Sequence, residues 1–94
     1  MYGLVGSMLV LPENRDTLLG ALERGSVDLP GCLNYVIAAD ADDPSLVWVT
    51  EVWESREAHA QSLELDHVKA AIAEARHVLL GFGLRVETDP TTVR

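Results

Sequence analysis

A chain of 94 residues makes one domain, with no room for a second core. Its 15 acids against 7 bases leave a formal charge of −8 and no basic cluster, which argues against nucleic acid and against an anionic membrane surface as partners. Apolar residues form 48% of the chain, more than a monomer of this size needs for its interior, so a homodimer is expected.

Tyr2 to Leu11 reads as a strand that is apolar on both faces and therefore covered on both sides. Pro12, Glu13 and Asp16 favour a helix start, and a helix is predicted through Leu18 and Leu22 to about Gly25. Leu29-Pro30-Gly31 is a turn into a second strand, Cys32–Ala38. The single cysteine, Cys32, can form neither an internal disulfide nor a metal cluster, and it reads as a small buried hydrophobe. Asp40-Ala41-Asp42-Asp43-Pro44-Ser45 is a polar hairpin loop without the glycine and distal glutamate of a calcium loop, so no metal is expected there.

The third strand, Leu46–Trp53, runs directly into a helix capped by Ser55 and ending near Leu63. Residues two apart on a strand share a face, so Glu51 and Trp53 point the same way. A carboxylate and an indole on one inward face, beside a helix that carries His59, describe a lined cavity. Asp66 is expected to cap a further helical stretch from His67 to about Val78, with Val68, Ile72, Ala75 and Leu79 on its buried face. The fourth strand is predicted over Gly81–Glu87, and residues 88–94 form a tail that is either disordered or laid over a partner subunit.

The order β-α-β-β-α-β predicts an α+β, ferredoxin-like domain over residues 1–87: a four-stranded antiparallel sheet with its helices on one face. The other face is also apolar, and packing two sheets face to face across a two-fold axis is the simplest way to cover it. No apolar run approaches ~20 residues and no positively charged leader opens the chain, so no membrane span is predicted and a cytoplasmic protein is expected.

Several short stretches carry a resemblance. They are Pro30-Gly31-Cys32 followed by Tyr35, Asp42-Asp43-Pro44, Glu51-Val52-Trp53-Glu54-Ser55-Arg56-Glu57-Ala58, and Asp66-His67-Val68-Lys69. In this order and spacing the chain resembles the antibiotic biosynthesis monooxygenase family, which forms dimeric α+β barrels. That resemblance implies oxidation of a small phenolic or quinol-type aromatic by dioxygen with no cofactor. The protein's tasks would be to remove a phenolic proton, to hold the ring in a dry site and to stabilise the anion.

On this reading Trp53 is an aromatic wall and Tyr35 a donor to a substrate oxygen. His67, at a helix N-terminus that favours the neutral imidazole, is the base. Glu51 orients that base, His59 lines the site, and Arg76 pairs with Glu51 or with a substrate anion.

Two departures point to the runner-up, a small-molecule-binding or stress-related dimer of the same fold without catalysis. The asparagine that polyketide-oxidising members carry four residues before the tryptophan is Val49 here. The mid-helix histidine nine residues after it is Ser62. An isomerase or lyase acting on a reactive carbonyl would use the same histidine base without oxygen. Haem-degrading relatives need an axial histidine where Ile72 stands and a tryptophan at Ser62, so haem is not expected.

Overall fold

The computed structural model describes all residues from Met1 to Arg94. Its elements run β1 (Tyr2–Val10), a 3-10 turn (Pro12–Asn14), α1 (Arg15–Gly25), β2 (Cys32–Ala39), β3 (Leu46–Trp53), α2 (Arg56–Ser62), α3 (Asp66–Arg76) and β4 (Leu79–Thr88). The four strands form one antiparallel sheet in the order β2-β3-β1-β4, so the first and third strands pair at its centre. This is the ferredoxin-like α+β arrangement, with the second helical segment broken in two at Leu63–Leu65.

Local chemistry sets the element boundaries. Pro12 opens a 3-10 turn and not α1 itself, and the α-helix begins three residues later at Arg15. Ser55 caps α2 as expected, its hydroxyl accepting the Ala58 amide at 3.1 Å. Asp66 is not a cap: Leu65 holds that position without a side-chain bond, and Asp66 lies inside the first turn, where its charge suits the helix dipole. β4 starts at Leu79, two residues before the predicted Gly81, because Leu79 pairs with Val10 and joins the core. Two register shifts against β1 accompany it, hiding the simple alternation that sequence reading relies on. Gly31, at φ 82°, turns the chain into β2 in a conformation that side chains rarely adopt.

The acidic hairpin loop spends its oxygens on itself. Asp40 accepts the amides of Asp42 and Asp43 and the Trp48 indole N–H, while Asp43 accepts both the amide and the hydroxyl of Ser45. These bonds hold both carboxyls below their usual range.

The inner face of the sheet packs on the helices in two separate clusters. One joins Val10, Leu18 and Val47 with Ile37, Leu22, Ala75 and Leu79; the other joins Tyr2, Leu4 and Trp53 with Cys32, Tyr35 and Ala58. Each fully buried Leu or Val contributes about 1.5–3 kcal/mol relative to exposure. Cys32 is only partly buried, less than the small core residue expected. Between the clusters the sheet carries Gly6 beside Val49, and the facing side of α3 carries Ala71 and Ala75. These small side chains cannot fill the space, so a cavity remains.

Candidate functional site

That cavity, of about 520 Å³, lies between the sheet and the helices. Its volume falls within the roughly 300–1,000 Å³ typical of small-molecule sites. Most of its lining is apolar, from Leu4, Met8 and Val49 on the sheet to Val68, Ala71 and Ile72 on α3. Five titratable side chains also face it: Tyr35, Glu51, His59, Arg76 and Arg85.

Glu51 stands near the end of β3, paired with Leu4 on β1 and Tyr35 on β2. Trp53, two residues on and on the same face, donates its indole N–H to Glu51 Oε1 at 3.0 Å. Burial pushes the Glu51 carboxyl above the usual range, the indole bond and the nearby Arg85 opposing that shift only in part. His59 comes down from α2 with Nε2 3.9 Å from Glu51 Oε1, near enough for charge attraction but too long for a hydrogen bond. Its ring rests edge-on to Trp53 at 5.4 Å between centroids and lies 5.6 Å from Tyr2. Burial and the two arginines Arg85 and Arg56 depress its pKa, which keeps a neutral, proton-accepting imidazole at pH 7.

The Tyr35 hydroxyl makes no hydrogen bond within the chain, and burial followed by the neighbouring Glu51 pushes its pKa up. It stays protonated as a free donor. A second polar group borders this end. The Tyr2 hydroxyl donates to Glu87 Oε2 at 2.8 Å, Arg56 pairs with the same oxygen, and the Arg56 guanidinium lies 4.6 Å above the Tyr2 ring. Arg85 approaches Glu87 only loosely, at 3.6 Å.

The residues singled out from sequence are thus partly brought together. Glu51, Tyr35, His59 and Arg76 all line the cavity. Trp53 does not: at 1% exposure it is core, and it reaches the site only through its bond to Glu51. His67 stands apart as well. Its Nε2–H donates to the Val27 carbonyl at 2.6 Å and ties the start of α3 to the loop after α1. A carbonyl can only accept, so this nitrogen carries the proton. Arg76 does not pair with Glu51; the indole takes that place and Arg85 is the nearby cation.

Ser62 faces away from the cavity and donates to the His59 carbonyl at 2.6 Å, whereas Val49 is part of the cavity wall. Sequence reading missed Arg85. The available signal was a lone cation in the apolar run Leu79–Val86, but the β4 register shifts concealed the face it takes. No group of three or more histidine, cysteine or acidic side chains is gathered as a metal site.

Fold and cavity define a small α+β protein with a largely apolar cavity and a carboxylate–histidine pair at one end. The family model for antibiotic biosynthesis monooxygenases matches residues 1–74. A Chloroflexus aurantiacus J-10-fl protein assigned to the same family is 43% identical, with 99% of this chain and 95% of that one covered and a TM-score of 0.95. The chain belongs to the antibiotic biosynthesis monooxygenase family. Proteins with the same assignment from Nitrosomonas europaea (19% identity, 98% and 100% covered, TM-score 0.86) and Deinococcus radiodurans (20%, 100% and 96%, TM-score 0.77) share the fold. No curated protein matches the chain. No helix is long and apolar enough to cross a membrane.

Proposed function

We propose that this protein is a homodimeric oxygenase that oxidises a small phenolic or quinol-type aromatic with dioxygen and without a metal or organic cofactor. The observation that carries this reading is the Trp53–Glu51–His59 arrangement at the head of an otherwise apolar chamber. An electron-rich hydroquinone needs only to lose a proton before it can pass one electron to oxygen. The superoxide and aromatic radical so formed combine at a ring carbon that bears hydrogen, and the imidazolium returns its proton to the peroxide. The hydroperoxide then loses water, so that one oxygen atom leaves as water and the other becomes a new ring carbonyl. His59 takes the phenolic proton, Glu51 stabilises the imidazolium, and the Tyr35 hydroxyl donates to the developing oxyanion. His67, engaged with Val27, has no part in this scheme.

The outer face of the sheet supports the dimer. Val36, Thr50, Val5 and Val86 form one cross-strand row there, with Leu9 and Leu33 also exposed. A surface of this kind calls for a cover, and a second sheet packed across a two-fold axis supplies it.

The test is oxygen uptake by metal-stripped protein with dihydroxynaphthalenes and anthrones, comparing the parent with His59→Ala and His67→Ala. Uptake above autoxidation that is lost in His59→Ala and kept in His67→Ala supports the proposal. Val49, a buried apolar residue on the cavity wall, favours a second reading as a non-catalytic binding dimer. No uptake by the folded protein would assign it there.

A further inference from the structure

We infer that the ligand of this cavity is an aromatic acid, with Arg85 holding a carboxylate distinct from the reacting hydroxyl and Arg76 adding positive potential. The inference rests on the cavity being the ligand site, as proposed above, and not on oxygen chemistry. It starts from an imbalance of charge. The chain has 15 acids and 7 bases, yet its main cavity is lined by two arginines and one acid. That acid, Glu51, is already engaged by the Trp53 indole.

The arginines elsewhere are mostly committed. Arg24 pairs with Glu74, Arg56 with Glu87, and Arg15 donates to the Asp43 carbonyl at 3.0 Å. Arg76 makes no ion pair, and Arg85 is no closer than 3.6 Å to Glu87, whose charge Arg56 and the Tyr2 hydroxyl already satisfy. Apart from Arg94 at the end of the chain, the arginines that make no close ion pair or hydrogen bond are therefore the two that line the cavity.

Arg85 is also given space. Its register partner is Gly6, so no side chain on β1 stands between the guanidinium and the middle of the cavity floor. Phe82 and Met8, a cross-strand pair further along the same floor, offer an apolar bed for a ring. A planar aromatic resting there can present a hydroxyl to His59 and Tyr35 and a carboxylate to the Arg85 fork, whose geometry matches a carboxylate bidentately. A neutral quinol leaves that fork unused.

The test compares two probes with the same ring, dihydroxynaphthoate and dihydroxynaphthalene, by anaerobic calorimetric titration. We expect the naphthoate to bind about tenfold tighter or more, as a charge-assisted hydrogen bond provides. Arg85→Gln should abolish most of that preference, Arg85→Lys should restore part of it, and Arg76→Gln should reduce it to a lesser degree. Both arginines are exposed, so the variants should fold, which circular dichroism checks. Equal affinity for the two probes, no binding of either, or a preference that survives Arg85→Gln overturns the inference. The two proposals fail separately. Naphthoate preference without oxygen uptake sinks only the oxygenase, and uptake with neutral quinols at equal affinity sinks only the carboxylate site.

Discussion

Replacing Trp53 with phenylalanine tests whether the carboxylate of the site is held by the core beneath it. The substitution keeps an aromatic ring but removes the N–H that Glu51 Oε1 accepts at 3.0 Å. A hydrogen bond to a charged group contributes about 1.5–3 kcal/mol. The Glu51 side chain keeps 15% exposure, so water recovers some of the loss and the lower end, about 1.5 kcal/mol, applies. Shrinking a side chain at 1% exposure adds about 1 kcal/mol for lost burial and the void left behind. The sum, about 2.5 kcal/mol, lowers the Tm by about 10–20 °C in a domain of this length.

The assay is urea unfolding of the parent, Trp53→Phe, Glu51→Leu and the double variant at one fixed protein concentration, since association shifts apparent stability. A coupling of about 1.5 kcal/mol between the two positions is expected. Strict additivity, within about 0.5 kcal/mol, would refute the claim that the indole holds the carboxylate.

Burial raises the Glu51 pKa in the folded state, so its contribution to stability is fully present below the unfolded value and fades as pH rises through the higher folded one. Glu51→Gln keeps an acceptor for Trp53 but has nothing to titrate; its stability relative to the parent should improve between about pH 4 and pH 7, read from paired urea curves. His59 has the opposite sign. Its depressed folded pKa gives stability that is present above the unfolded value near 6.5 and is lost as pH falls through the folded one, a step that should disappear in His59→Ala. On activity, His59→Ala should lower kcat by about a hundredfold or more while His67→Ala leaves it largely intact, measured by oxygen electrode. Gly25→Ala would bring a Cβ to 2.7 Å from the Ala71 Cβ where α1 meets α3, and thermal melts should show about 1–3 kcal/mol of destabilisation. Val36→Asp places a charge on the exposed outer face of the sheet; sedimentation should show a dimer for the parent and a monomer for the variant.

The sequence by itself determined the element order, the ferredoxin-like topology and the family. These follow from local signals: the period-two and helical patterns, the Ser55 cap, and the breaks at Pro12, Pro30-Gly31 and the Asp40–Ser45 loop. It also put Glu51 and Trp53 on one face, because the pleat of a strand needs no tertiary information.

The phase of the helices and the depth of each side chain were decided only in three dimensions. His59 and His67 look alike in the sequence, as histidines on two adjacent helical segments. One turns toward Glu51 and the other toward the Val27 carbonyl, on segments separated by the break at Leu63–Leu65. Trp53 reads from the sequence as a cavity wall, but whether an indole lines a cavity or lies beneath it depends on what packs above, here His59 and Tyr2. Arg85 entered the site through a strand whose register slips against β1, and such a slip moves side chains between faces with no local mark in the sequence.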